Sequence, residues 1–275
     1  MIKKFLNISF IKNFYLKIFW SLNQKNFCII YNLISKIFYN NRTQIKYVDD
    51  IFFLIENNKV VWHFKYTTRG FHYLNGLKNK AQLIHKEYLV DNLKFKDFEI
   101  IIDVGANTGD FFLNFDKKIN YYGIEPSPEV FFVLKKNISD HILINKAAYT
   151  FSDKKLEFYL DDEDANSSLI LIQNVKKIIK VQTISLDDLI KKINSKIKLI
   201  KIDTEGAEPE TLYGLNTQLN QVQYISIDCG YERGIQKEST FVDCKKYLLD
   251  KNFELIKFST DRFVHLFKNK NFFIK

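Results

Sequence analysis

Two stretches of the sequence gather side chains able to bind and deprotonate a hydroxyl group. Leu199–Glu208, LIKIDTEGAE, places a lysine inside an apolar run with an aspartate two residues on. In a strand, Lys201 and Asp203 point to the same face. Glu205 and Gly206 then turn the chain toward a helix with Pro209 in its first turn. A lysine so placed needs a carboxylate partner, so one reading is a structural ion pair of Lys201 with Asp203 or Glu205 that shapes the turn. The other reading is catalytic: a carboxylate near a hydroxyl removes its proton, and an adjacent cation tunes the carboxylate. Tyr224–Asp228 is another strand ending in an acid, followed by Cys229-Gly230-Tyr231-Glu232-Arg233-Gly234. Asp203 and Asp228 are thus candidate bases, and Lys201 and Glu205 complete the candidate catalytic set, with Lys201 or Arg233 as the tuning cation. Glu232 and Arg233 form either a loop salt bridge or a carboxylate–guanidinium cluster that holds a polyol substrate. A divalent ion on Asp203 and Asp228 is an alternative activator. His63, His72, His85, His141 and His265 show no metal-ligand spacing.

A second kind of chemistry, cofactor binding, is written in Ile101–Asp110, IIDVGANTGD. An apolar run ends at Asp103, Gly105 permits a tight turn against a ligand, Ala106 and Asn107 follow, and Gly109 leaves room beside the next helix. A dinucleotide fingerprint requires G-x-G-x-x-G, but Asn107 stands where the second glycine belongs. Asp103 would repel a diphosphate and suits the ammonium and sulfonium of S-adenosylmethionine. Tyr121–Glu125 is a second strand ending in an acid, where Glu125 can bind a ribose diol. Pro126, Ser127 and Pro128 follow, with Ser127 placed to cap a helix. Asn145-Lys146-Ala147-Ala148 ends a third strand, and Ala147 offers an adenine ring a flat surface. The acidic run Asp161–Asp164 reads as a solvated loop, and the alternative has Asn166–Ser168, Ser168 included, folding over cofactor or acceptor.

These residues need strands to carry them to one edge. From Phe98 the pattern alternates strand and helix, which predicts a mostly parallel sheet with helices on both faces. Strands are predicted near Ile100–Val104, Tyr121–Glu125, Ile142–Ala147, Leu156–Leu160, Ile178–Thr183, Leu199–Asp203, Tyr224–Asp228, Phe253–Lys257 and Val264–Lys268. Helices are predicted at Thr108–Asp116, Ser127–Asn137, Leu186–Ile193, Glu208–Leu215 and Thr240–Asp250. Residues 1–95 read as an N-terminal extension: amphipathic helix within Phe5–Tyr39, a hairpin over Tyr47–Tyr66 turning at Glu56–Lys59, and a short helix at Ala81–Asn92. Residues 96–275 read as the cofactor-binding domain.

Taken together, DVGANTG (Asp103–Gly109), EPSP (Glu125–Pro128), Asn145–Ala147, TISLDDL (Thr183–Leu189) and KIDTEGAE (Lys201–Glu208) resemble the FkbM family of methyltransferases over about Phe98–Lys268. The resemblance implies a class I, Rossmann-like methyltransferase fold with S-adenosylmethionine as cofactor. It also implies O-methylation of a sugar or polyketide hydroxyl, often in surface-glycan pathways. Asp103, Gly105, Asn107, Glu125 and Ser127 match the family's cofactor blocks, and Asp203 and Glu205 match its KIDxEGxE block. The next strand often ends in Glu in this family, so Asp228 is a departure on the acceptor side.

The chain of 275 residues has a formal charge of +9, concentrated in part in Met1–Lys46, which has eight lysines and arginines and no acid. That charge permits attraction to nucleic acid, anionic lipid or charged glycan. A nucleic-acid methyltransferase is one alternative, but no Asn/Asp-Pro-Pro-Tyr/Phe motif is present, so no nucleic-acid partner is expected. A non-catalytic scaffold in a glycan-assembly complex is another. Three cysteines without a CxxC pair fit a reducing cytoplasm. Lys12, Lys17 and Lys25 interrupt any bilayer-spanning run, no cleavable leader is expected, and residues 1–40 read either as a helical cap on the main domain or as a segment for peripheral membrane or partner contact.

Overall fold

The computed structural model describes residues 22–115, 118–161 and 166–272. The chain forms two compact units, residues 1–79 and 80–275. The division falls inside a helix, earlier than residue 96, because residues 80–95 attach to the second unit. The Tyr88 carbonyl accepts from the Ser226 hydroxyl at 2.6 Å, and a His85 ring nitrogen lies 3.1 Å from the Phe111 carbonyl.

In the first unit, α1 (Gln24–Phe38) is followed by a three-stranded antiparallel sheet of β1 (Gln44–Val48), β2 (Ile51–Glu56) and β3 (Lys59–Phe64). The expected hairpin is therefore a meander with one more strand. Both turns are two residues long with positive φ, at Asp49 and Asp50 (48° and 65°) and at Asn57 and Asn58 (50° and 60°). Asp and Asn tolerate that region, and such turns match the twist of paired strands. Asn23 caps α1 by accepting from the Asn26 amide. The buried face of α1 places Phe27 and Tyr31 on Phe52 and Phe71. Of the predicted helix Phe5–Tyr39, the part before residue 22 lies outside the described residues.

α2 (Leu77–Glu87) leads into the second unit, a little earlier than expected. Its strands are β4 (Ile100–Val104), β5 (Asn120–Ile124), β6 (Ile142–Ile144), β7 (Ala147–Ala148), β8 (Lys155–Leu160), β9 (Lys177–Ile184), β10 (Ile197–Ile202), β11 (Val222–Asp228), β12 (Phe253–Phe258) and β13 (Val264–Asn269). Its longer helices are α3 (Pro128–Asn137), α4 (Leu186–Ile193), α5 (Glu208–Tyr213) and α6 (Phe241–Asp250). The main sheet has the order β12-β13-β11-β10-β4-β5-β6. All neighbours from β11 to β6 are parallel, and β13 runs antiparallel between β11 and β12. This is the expected α/β class I methyltransferase architecture.

The central strands are rich in buried isoleucine and leucine because both faces are covered. Ile100, Ile102, Ile200, Ile202, Ile225 and Ile227 share one core with Leu189 of α4, Leu212 of α5 and Leu248 of α6. Ile101 and Leu199 on the opposite face are fully buried as well.

Two predicted elements differ. The helix expected at Thr108–Asp116 is a short 3-10 helix, Asp110–Asn114, because Gly109 at φ +96° breaks the backbone first; Asp116 lies outside the described residues. The expected strand Ile142–Ala147 is split. Its first half is the edge of the main sheet, and Ala147–Ala148 pairs with β9 in a second sheet of order β7-β9-β8. Asn145 makes the break by turning its amide back to the Glu125 and Pro126 carbonyls at 2.8 and 3.1 Å.

Candidate functional site

Parallel strands β4, β5, β10 and β11 bring Asp103, Glu125, Asp203 and Asp228 to their shared carboxyl edge, where open α/β sheets bind ligands. The cofactor side begins with the loop after β4. Gly105, at φ +72°, is pressed against β10's exit so closely that a Cβ would lie 1.8 Å from the Asp203 carbonyl oxygen. Every amide of the loop is occupied internally. Gly105 and Ala106 donate to the Ile124 carbonyl, Asn107 to Glu125 at 3.0 Å, Thr108 to the Asn107 side chain, and Gly109 to the Ala106 carbonyl. A diphosphate cradle instead turns free N–H groups toward its ligand. The loop is therefore built for a cofactor without phosphates at this point, and the donor set fits S-adenosylmethionine.

Glu125 is buried, and each of its carboxylate oxygens accepts one backbone amide, from Asn107 and from Ser127 at 2.8 Å. Two main-chain bonds fix the group at the strand tip and leave lone pairs for a diol. Burial pushes its pKa up to about 7 against those amides. Ser127 caps α3, with Pro128 in the first turn. Ala147 is buried in β7 beside Thr183.

Asp103, expected to suit the ammonium and sulfonium of the cofactor, is paired inside the protein. It is fully buried, and its charge meets Lys201 at 3.1 Å while Tyr121 donates to its other oxygen at 2.5 Å. Lys201 also donates to the Gly105 carbonyl at 2.8 Å and lies 3.8 Å from Asp203. The partner of Lys201 is thus chiefly the residue opposite it on β4, as the register pairs Lys201 with Asp103. Burial raises the Asp103 pKa, and Lys201 opposes that rise. One ammonium locks the cofactor loop to the exit of β10.

The acceptor side is crowded with carboxylates. Asp203 accepts from the Tyr88 hydroxyl and lies 3.6 Å from Arg262. Asp228 is more enclosed; one oxygen accepts two N–H bonds from Arg262 at 2.9 and 3.2 Å, and the other accepts from the Gly230 amide. Arg262 also donates to Glu87 at 3.3 Å and stacks over Tyr88, 5.2 Å from the ring centroid. Burial, together with the Asp203 charge, raises Asp228 to about 7, and Arg262 opposes this. Burial and the charges of Asp228 and Asp203 lift Glu232 to about 8. Burial, then Asp203 and Glu232, raise Glu205, whose φ of 53° is rare for a glutamate.

Arg233 points elsewhere. It forms a bidentate pair with Glu210 at 2.7 and 2.9 Å and donates to the Gly206 carbonyl, tying the loop after β11 to α5. Glu208, which the sequence reading left unassigned, is buried; it accepts from the Thr204 and Gly206 amides and from the Thr240 hydroxyl, bracing the turn that presents Asp203 and Glu205. Ser168 is buried beside β8, its hydroxyl accepting from the Ile170 amide and its backbone pairing with Tyr159. Asn166 donates to Asp161 at 2.8 Å, and residues 162–165, which hold the rest of the acidic run, lie outside the described ones. Among the described residues, no group of three or more His, Cys, Asp or Glu is arranged around a metal position, and Arg262 bridges Asp203 and Asp228.

Sequence reasoning also missed Tyr88, Tyr121 and Arg262. The signal for Arg262 is topological: an antiparallel β13 beside β11 carries the loop before it to the end of β11, next to Asp228.

Residues 103–255 match the methyltransferase FkbM domain. The chain is 24% identical over 173 residues to a protein named Methyltransferase 1 from Beauveria bassiana (strain ARSEF 2860), covering 51% of this chain and 70% of that one. It is similar to Aeropyrum pernix fibrillarin with natively bound S-adenosyl-L-methionine, at 11% identity and a TM-score of 0.40, over 82% of this chain and 96% of that one. An rRNA methylase from Streptococcus thermophilus is similar at 11% identity and a TM-score of 0.40, over 68% of this chain and 96% of that one.

Proposed function

The chain belongs to the FkbM methyltransferase family, and we propose that it transfers a methyl group from S-adenosylmethionine to a hydroxyl of a sugar, glycan or similar polyhydroxylated acceptor. When bound, the cofactor supplies an electrophilic methyl on a sulfonium centre. Glu125 would hold its ribose, with Gly105–Asn107 and Ser127 shaping the cradle and Ala147 lying beyond.

The observation that carries the reading is the cluster of Asp203, Glu205, Asp228 and Glu232 at the acceptor edge. A carboxylate accepts hydrogen bonds, a protonated carboxyl such as Glu232, raised to about 8, both donates and accepts, and the hydroxyls of a polyol answer both. A phosphate backbone would meet carboxyl groups here, with Arg262 already engaged by Asp228 and Glu87, which disfavours nucleic acid despite the net charge of +9. Tyr231 stands exposed beside the cluster with its ring edge-on to Phe263 at 4.9 Å, and presents an apolar surface to the C–H face of a sugar ring.

Asp203 takes the hydroxyl proton in this reading. Its side chain is 15% exposed against 3% for Asp228. Tyr88, Lys201 and Arg262 orient and balance it. Alignment of the acceptor oxygen supplies much of the rate. Arg262 and Lys201 are positioning residues.

The test is transfer of an isotopically labelled methyl group from S-adenosylmethionine to a panel of sugars, glycosides and RNA. Methyl ethers on a sugar, lost in Asp203→Asn, are expected. Label in RNA alone would overturn the acceptor class, and tight cofactor binding without any transfer would favour the scaffold reading.

A further inference from the structure

We propose that the outward face of α1 seats the N-terminal unit on an anionic lipid surface. The helix is apolar on two sides. Phe27, Tyr31 and Ser35 are buried inward, while Ile29, Leu33 and Ile37 point outward at 66, 54 and 59% exposure. The outward three are spaced four residues apart, so at 100° per residue they form one stripe along the helix. A second apolar face is more than a helix needs to cover its own sheet.

Charge decides what that stripe meets. On the same helical wheel Lys25 and Lys36 fall within about 40° of Ile29, bordering the stripe. Both are exposed, and from Met1 to Lys46 the sequence has eight cations and no acid. A protein partner able to satisfy this face would need an acidic rim around an apolar centre at one spot. A bilayer of anionic lipid offers acyl chains and phosphate at every spot, and an apolar stripe flanked by lysines suits that interface. No helix among the described residues is long and apolar enough to cross a membrane, so the contact is peripheral. The inference is independent of the acceptor assigned above.

Co-sedimentation of the full chain with vesicles tests it, using equal parts phosphatidylglycerol and phosphatidylcholine against phosphatidylcholine alone. The wild-type chain should pellet with the anionic vesicles only. Leu33→Asp combined with Ile37→Asp should lower the bound fraction about tenfold or more, and Lys25→Glu with Lys36→Glu should do the same. Both pairs are exposed, so circular dichroism and thermal unfolding should match the wild type. Equal binding to neutral vesicles, or anionic binding that survives the Leu33/Ile37 change, overturns the proposal. So does a concentration-dependent dimer that the Leu33/Ile37 change abolishes in a chain that never pellets with lipid, since the stripe would then belong to a second copy.

Discussion

Glu125 draws its hydrogen bonds from residues 2 and 18 positions away in the chain, whereas Arg262 reaches partners 34 and 175 positions away. The cofactor side is made of backbone amides satisfying one another locally. The acceptor side is made of charges delivered by distant segments and balanced only when all arrive. The first arrangement is local; the second can be altered residue by residue and, under the proposed function, is where acceptor choice would reside.

If the two sides divide the work in this way, substitutions should separate turnover from cofactor binding. The largest effect is expected for Asp203→Asn, which should lower kcat by about 10²–10⁴-fold while leaving the Kd for S-adenosylmethionine unchanged by calorimetry. A variant with wild-type turnover would remove Asp203 as base and break the comparison. Lys201→Ala should cost about 3–5 kcal/mol in chemical denaturation, because Asp103 is left buried and uncompensated. Adding Asp103→Asn should recover part of that loss, since the unpaired charge disappears.

Arg262→Gln should act on the acceptor side alone, lowering kcat about tenfold. Asp228 is already raised to about 7, and Arg262 is the group that opposes the rise. Removing it pushes the Asp228 pKa higher still, so the Asp228 titration, followed by its carboxyl chemical shift, should move to higher pH. An unshifted titration would reduce Arg262 to a structural tie. The smallest effect concerns cofactor affinity and pH. Glu125 titrates at about 7, and a diol donating to it favours the ionised form. Affinity should therefore be weaker below that value and strengthen as pH rises through it, by about tenfold between pH 6 and 8. Glu125→Gln should flatten that dependence without touching the kcat profile.

The same contrast explains what was legible in the sequence. The loop Asp103–Gly109, Glu125 and the Ser127 cap are contiguous signals, and the structure brings them together as read. α4 begins and ends where the sequence predicts, because Ser185 caps it by accepting from the Asp188 amide and Asn194 closes it in a left-handed conformation. The partner of Lys201 was sought within its own block and lies across the sheet, since strand adjacency is not visible in a linear pattern. Arg233, read beside Glu232 as substrate-binding, is claimed by Glu210. Arg262 lay in a loop between two predicted strands, and only the antiparallel placement of β13 gives it meaning.

That placement of Arg262 also sets an order of assembly during synthesis. The cofactor loop, Glu125 and α3 have all been made once Asn137 has emerged, but the loop is locked only when Lys201 arrives to meet Asp103 and the Gly105 carbonyl. Glu87 and Tyr88, which meet Lys80 and Phe111 early, gain Arg262 only after β12 has been made. Closing so long a loop is slow and comes late. A growing chain therefore completes its cofactor side with Lys201 and its acceptor side only with Arg262.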